Sequence, residues 1–195
     1  MKIASVTLEG THVRLVPPDL KYEKDLLAAA QPNEIWDFIA TAPGQTAAEM
    51  HAWIQQAVDD TANGSRVWFI IVRKGDERAI GATSYMDIHV RDRSLEIGGT
   101  WLTPKVWRTS INTECKYLLL RHAFENLGCL RVQLKTDLRN LRSQKAIERL
   151  GAVKEGVLRK HMITRTGYIR DTVMYSIIDT EWGAVKARLE NFLNQ

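Results

Sequence analysis

Several features that mark specialised protein classes are scarce in this chain of 195 residues. No uninterrupted apolar run approaches the ~18 residues of a membrane-spanning helix, so we expect no membrane span or membrane partner. The start, MKIASVTLEG, lacks the apolar centre of a secretory signal, which favours a cytoplasmic location. The only cysteines are Cys115 and Cys129, without CxxC or Cys/His spacing. Neither a metal site nor a structural disulfide is therefore expected.

The excess of positive over negative charge is also small, because the formal net charge is only +4. That balance suits an anionic ligand, but no basic run with interleaved aromatic residues indicates nucleic acid as a partner. A hydrophobic content of 45% and a charged content of 26% are ordinary for a globular protein. The length suffices for one substantial core, and we predict a single domain over 1–195.

The patterning predicts alternating strands and amphipathic helices along the whole chain. Strands are expected at 6–8, 12–16, 67–72, 79–90, 94–102, 130–136, 153–163 and 168–177. Helices are expected from 20, over 33–39, over 46–60 with Thr46 and Glu49 as a capping box, over about 110–127, from Asn140 to Gly151, and over 180–193. The order predicts a mixed α/β sheet with helices on both faces and one parallel strand–helix–strand unit between 96 and 136.

The stretch LTPKVWRTSINTECKYLLLRHAFENL, residues 102–127, joins a strand to a helix through a short loop. Its apolar stripe includes Cys115, Leu119 and Ala123, which predicts burial against a sheet, whereas the polar residues Glu114, Lys116, Arg121 and Glu125 are expected on the other face. A strand that runs through a tight loop into a helix N-terminus presents unpaired N–H groups and the positive end of a dipole. That arrangement favours phosphate.

Two segments resemble the GNAT N-acyltransferases, in particular their RimJ/RimL-like branch. WLTPKVWRTSINTE resembles the acyl-CoA pyrophosphate loop, and NLRSQKAIERLGAVKEGVLRKHMI resembles the second hallmark of the branch. The resemblance implies a mostly antiparallel, seven-stranded sheet with one splayed parallel pair that admits the cofactor arm. It also implies acetyl-CoA, or another short acyl-CoA, as co-substrate without a metal, and family habit suggests a possible homodimer.

The resemblance implies cofactor-binding roles for residues at the end of the strand, in the loop and at the starts of two later helices. These are Trp101, Leu102, Trp107, Arg108, Thr109, Ser110, Ile111, Asn112, Thr113, Asn140 and Ser143. The relatives place glycines where this chain has Arg108 and Ser110. Either the two side chains add a charged contact and a hydroxyl donor to the phosphate site, or they narrow the loop and weaken binding. Asn140 also fits an ordinary helix N-cap, and both roles are compatible.

Acyl transfer to an amine needs a base for the amine, a polarised thioester carbonyl and an acid for the departing thiolate. Glu96 is the predicted general base, with a solvated strand carboxylate as the alternative interpretation. Backbone N–H groups near Trp101 and Leu102 are the expected carbonyl polarisers. Many family members use a Tyr as the acid, but Ile147 takes that position here, so the resemblance suggests Ser143, whose other interpretation is purely structural.

On the acceptor side, the expected substrate contacts are Tyr85, His89 and Asp171. The function predicted from the resemblance is transfer of an acetyl group from acetyl-CoA to a primary amine, either a protein or peptide N-terminus or a small amine. Two alternatives remain open at this stage. One is a non-catalytic acyl-CoA-binding module, and the other is a succinyl-CoA-dependent enzyme with a cationic pocket near Arg159 or Arg170.

Overall fold

A computed structural model describes residues 1, 3–39 and 44–194. The strands are β1 (Leu8–Glu9), β2 (Val13–Val16), β3 (Val67–Arg73), β4 (Arg78–His89), β5 (Ser94–Leu102), β6 (Arg131–Asp137), β7 (Val153–Ile163) and β8 (Ile169–Ile178). They form one sheet in the order β1-β2-β3-β4-β5-β6-β8-β7. Within these ranges only the β5–β6 pair is parallel, which confirms the predicted mixed sheet. The count of seven strands is wrong, because the two-residue β1 pairs with β2 at the edge and makes eight.

The helices are α1 (Glu23–Ala30), α2 (Ala47–Asn63), α3 (Ile111–Arg121), α4 (Leu141–Leu150) and α5 (Asp179–Leu193). The capping box of Thr46 and Glu49 forms at the start of α2 as predicted. Gly128, with φ of 66°, follows the π-helical turn that extends α3. The helix expected over 33–39 is limited to one 3-10 turn, Asn33–Ile35. None of the helices in the described ranges is long and apolar enough to cross a membrane.

The sheet separates two apolar clusters, as expected for helices on both faces. On what we call the α3 face, Cys115, Leu119 and Tyr175 belong to the cluster beneath α3, α4 and α5. On the α2 face, α1 and α2 pack over Trp101 and its neighbours. Leu95 and Ile97 of β5 and Val132 and Leu134 of β6 belong to the cluster of the α3 face. Because strand side chains alternate between faces, the residues between them point to the α2 face.

The prediction that the polar residues of α3 lie on its solvent-facing side is wrong for two of them. Glu114 and Lys116 are buried, with 3% and 7% of their surface exposed. The Glu114 carboxylate accepts hydrogen bonds from the backbone N–H groups of Thr11, His12 and Val13 at 2.6–3.0 Å. The Lys116 ammonium donates to Thr100 Oγ1 at 2.6 Å. Tertiary partners therefore replace the water that the amphipathic pattern predicted.

Candidate active site

The loop between β5 and α3 is closed by its own side chains. Trp107 donates its indole N–H to the carbonyl of Leu102 at 2.9 Å. Thr109 donates to the carbonyl of Val106 at 2.7 Å and accepts from the N–H of Ile111 at 3.3 Å. Thr109 therefore takes the capping role, while Ser110, the residue before α3, makes no side-chain capping bond.

The loop keeps a row of unpaired backbone donors. Within the described residues, no protein acceptor is recorded for the backbone N–H groups of Arg108, Thr109, Ser110, Asn112 and Thr113. Unpaired amides at a helix start, together with the helix dipole, favour an anion. A cavity of about 600 Å³ adjoins the loop, and its lining includes Lys105 and, from the β3–β4 turn, Arg73 and Lys74. Arg73 is paired with Asp76 and Lys74 with Glu9, so much of their positive charge at this edge of the sheet is neutralised.

The two substituted glycine positions differ physically. Arg108 has φ of 62°, the left-handed conformation in which glycine carries no steric penalty. Ser110 has φ of −67°, which any residue adopts. The side chain of Arg108 is exposed and does not line the cavity beside the loop.

Helix α4 brings further polar groups towards the loop. Asn140 Oδ1 accepts from the backbone N–H of Ser143 at 3.0 Å, so the N-cap interpretation of Asn140 is confirmed and its Nδ2 remains for other contacts. The guanidinium of Arg142 lies 3.9 Å from the ring centre of Trp107. Arg149 donates to the Thr113 hydroxyl at 2.6 Å. Sequence reasoning missed Arg142, whose only signal was its place beside the Asn140 cap.

The remaining predicted cofactor-binding residues can contact a ligand mainly through their backbone atoms. Trp101, Leu102 and Ile111 are buried in the two clusters, and Asn112 is half-buried at the start of α3. Trp101 Nε1 is buried without a hydrogen-bond partner. Its ring packs against Trp36 at 5.3 Å and Trp53 at 6.3 Å between ring centres. A buried indole N–H without an acceptor is costly, which makes it a candidate donor to a ligand.

The parallel strands β5 and β6 diverge where the cleft begins. Their pairing covers only Ser94↔Arg131, Leu95↔Val132 and Glu96↔Gln133, although both strands continue further. A register shift between β4 and β5 accompanies Gly99, whose φ is 60°. The splayed pair expected from the resemblance is therefore present, and its opening lies immediately after Glu96.

Glu96 points to the α2 face and is not the solvated carboxylate of the alternative interpretation, since its side chain is only 2% exposed. Lys135 pairs with Glu96 Oε2 at 2.9 Å, and Gln133 donates to the same oxygen at 3.2 Å. The other oxygen lies over Gly98, where an added Cβ would stand 2.6 Å from Glu96 Oε1. Gly98 therefore leaves Oε1 the room that a base needs.

On the opposite face of β5, Lys116 is a buried cation that the sequence had placed in solvent. Burial lowers the pKa of Lys116 to about 8. Its acceptor, Thr100 Oγ1, also lies 2.7 Å from Thr83 Oγ1. A buried lysine, a threonine pair and the left-handed Gly99 thus meet where the strands diverge.

The structure separates the three predicted acceptor residues. Tyr85 is fully buried on the α3 face, where its hydroxyl donates to the carbonyl of Leu119 at 2.6 Å; it therefore does not face the acceptor, and that prediction is corrected. His89 is exposed and lies 3.0 Å from Asp87. Asp171 accepts from the backbone N–H of Lys160 at 2.7 Å, where β7 bulges against β8.

Two arginines also have polar or charged groups in largely buried surroundings. Arg170 is buried, and Arg66 donates from Nε to Ser84 Oγ at 2.9 Å while its guanidinium lies 3.7 Å from the ring centre of Trp68. Burial lowers the pKa of Arg66 to about 10. Among the described residues, no cluster of His, Cys, Asp and Glu has the grouping of a metal site.

Comparison with known proteins gives consistent matches. The family model for the acetyltransferase (GNAT) domain matches residues 12–153. The uncharacterized N-acetyltransferase YoaA of Bacillus subtilis (strain 168) is 30% identical over 108 residues, which cover 55% of this chain and 60% of that relative. The match thus spans less than two thirds of YoaA.

Solved structures extend over more of the chain. The crystal structure of a GCN5-related N-acetyltransferase from Brucella melitensis is 28% identical with a TM-score of 0.93, covering 99% of this chain and 87% of that one. Mycobacterium smegmatis RimJ in complex with CoA-disulfide has a TM-score of 0.84 at 17% identity, covering 96% of this chain and 94% of that one. At that identity the likeness concerns the fold alone.

Proposed function

This chain belongs to the GNAT acetyltransferase family, and we propose that it transfers an acetyl group from acetyl-CoA to a primary amine, as a member of the RimJ/RimL-like branch. The acceptor is either a protein or peptide N-terminus or a small amine. The observation that carries the proposal is the opening between β5 and β6, which lies between the unpaired loop amides and Glu96. An acyl-CoA held there in an extended conformation has its diphosphate at the loop and its thioester carbonyl beside β5.

In the proposed reaction the amine nitrogen attacks the thioester carbonyl carbon, so that a C–N bond forms and the C–S bond breaks. Glu96, through Oε1 or a water, takes the proton that the amine loses. Backbone N–H groups near Trp101 and Leu102 polarise the carbonyl oxygen, and the Ser143 hydroxyl protonates the departing thiolate. Asn140 Nδ2 and Arg142 are proposed as additional cofactor contacts.

One feature favours a second candidate, a non-catalytic acyl-CoA-binding module. Ile147 stands at the position of the usual family acid and is buried in the apolar cluster of the α3 face, so no acid can act from there. Such a module would bind acetyl-CoA and release no thiol.

Two measurements separate these candidates. Acetyl-CoA should raise the melting temperature through binding to the folded state, and thiol release with a panel of amines should follow. Glu96→Gln should lower turnover by about 100-fold with little change in acetyl-CoA affinity. Glu77→Gln, at an exposed turn residue, is the matched control. No thermal shift at millimolar acetyl-CoA would contradict the loop assignment, and unchanged turnover of Glu96→Gln would remove Glu96 from its role.

A homodimer remains part of the proposal. Strand β7 forms one edge of the sheet and exposes Val153, Val157 and Ile163, and an unpaired apolar edge strand is a surface that proteins usually cover. Light scattering after size exclusion at several concentrations tests this, and a monomer at every concentration would contradict it.

A further inference from the structure

On the α2 face, the two buried carboxylates Glu96 and Asp137 are each paired with a cation of the chain. Glu96 is paired with Lys135 at 2.9 Å and Asp137 with Arg139 at 3.0 Å. Both carboxylates are almost fully buried. Within the described residues, each of these anions thus has a cation in direct contact, and two guanidinium groups remain without an ion pair.

The first of these guanidinium groups belongs to Arg170. By strand alternation, Arg170 lies on the face opposite to Val173 and Tyr175, that is, on the same face as Glu96 and Asp137. It is 6% exposed, and its Nε is buried without any hydrogen-bond partner. Burial lowers the pKa of Arg170, while the nearby charges of Asp137 and Glu96 raise it. Burying a guanidinium whose Nε–H has no acceptor is costly, because the loss of hydration is not offset by a hydrogen bond.

The second belongs to Arg66. Its guanidinium stacks on Trp68 and lies so close to Gly99 that a Cβ added there would collide with it. Its one recorded side-chain hydrogen bond goes to the neutral hydroxyl of Ser84. Burial lowers the pKa of Arg66, while the charges of Asp60 and Glu96 raise it. Of the two, Arg170 is the one with a buried donor that lacks a partner, and an anion from outside the chain can accept from it.

We propose that Arg170 binds a carboxylate carried by one of the two substrates. A guanidinium offers its donors in a planar fork that matches a carboxylate. Two substrates can supply that group: the acceptor, as an amino acid or a peptide with an acidic group near its amine, or the donor, as a dicarboxylic acyl-CoA such as succinyl-CoA. The inference rests on the proposed acyl transfer and specifies its substrate class.

Paired substrates test the inference with wild-type protein. Thiol release is measured with acetyl-CoA and succinyl-CoA as donors, and with phenylalanine against phenylalaninamide and glycylglutamate against glycylglutamine as acceptors. We expect kcat/KM to be about tenfold or more higher for the carboxylate-bearing member of at least one pair. Preference for succinyl-CoA assigns the carboxylate to the donor, and preference within an acceptor pair assigns it to the acceptor.

Variants then connect the preference to the residue. Arg170→Gln should abolish the preference, and Arg170→Lys should restore part of it. Arg188→Gln, at an exposed arginine of α5, should leave the preference unchanged. Circular dichroism and the thermal shift with acetyl-CoA establish that each variant folds. If Arg170→Gln does not fold, the wild-type preference and its reduction in Arg170→Lys decide.

The outcomes also separate this inference from the proposed function. Equal turnover of both members of every pair overturns the carboxylate site and leaves acyl transfer intact. A preference that survives Arg170→Gln likewise overturns it. Absence of thiol release with every donor and amine overturns the proposed function together with this inference.

Discussion

Replacing the buried Lys116 by methionine is expected to stabilise the protein. Burial lowers the pKa of Lys116 from its ordinary 10.5 to about 8, and each pKa unit corresponds to about 1.36 kcal/mol. A protonated Lys116 therefore destabilises the folded state by about 3 kcal/mol at pH 7. The hydrogen bond to Thr100 is lost in the variant, at about 1 kcal/mol, but Thr100 keeps its contact with Thr83. The net gain of Lys116→Met is about 2 kcal/mol, which raises the melting temperature by roughly 4–8 °C for a chain of this size.

The pH dependence provides the sharper test. Between pH 8 and 10.5 the unfolded state binds more protons at this site than the folded state, so the wild-type protein gains stability as the pH rises. The penalty is complete below about pH 8 and vanishes above about 10.5. The advantage of Lys116→Met should therefore shrink between pH 7 and pH 10.

Urea unfolding of both proteins at these two pH values measures the difference directly. Lys105→Met, at an exposed lysine, is the control and should change the free energy of unfolding by less than about 0.5 kcal/mol. A Lys116→Met protein that is less stable than wild type at pH 7, or equally shifted at both pH values, would refute the reasoning.

Three further substitutions test other parts of the site. Glu114→Gln should lower the free energy of unfolding by about 2–4 kcal/mol, since three charge-assisted bonds to the Thr11–Val13 backbone are weakened or lost; a urea midpoint equal to that of wild type would contradict this. Arg108→Gly should raise the free energy of unfolding by up to about 1 kcal/mol, because glycine relieves the strain of the left-handed backbone. The control Arg165→Gly, at a residue whose φ is not positive, should lower it by about 0.5–1 kcal/mol. Equal changes in the two variants would contradict the claim that Arg108 is strained. Gly98→Ala should cost about 1–3 kcal/mol and reduce turnover, because the new Cβ would meet Glu96 Oε1 and Met86 Sδ at 2.6 Å each. Gly156→Ala, with no atom within 4 Å, is the control, and turnover of Gly98→Ala at the wild-type rate would sink the close-approach account.

Local elements followed the sequence patterns closely. The capping box of α2, the Asn140 cap and the glycine after α4 depend on neighbours within a few residues, so their partners can be identified from spacing alone. Strands β5 and β7 begin and end at the predicted residues. The edge strand β1 was harder to predict, because two residues acquire strand structure only through pairing with β2.

The site followed the sequence only in part. The loop and Glu96 were identified by their resemblance to a family pattern, and the structure brings them to one opening of the sheet. Tyr85 was misplaced because its neighbours on β4 do not tell which face of the strand is covered by helix α3. The roles assigned to Ser143, His89 and Asp171, the single domain and the cytoplasmic location stay predictions.

By itself, the sequence determined the order of the strands and helices, most of their ends, and the loop whose amides remain unpaired, because these depend on contacts within a few residues. Only the tertiary structure decided where the charges went. Lys116 and Arg170 are buried and Glu96 is paired with Lys135 because segments distant in the chain meet across one sheet. The environment of a charge depends on those distant partners, and no local pattern encodes them.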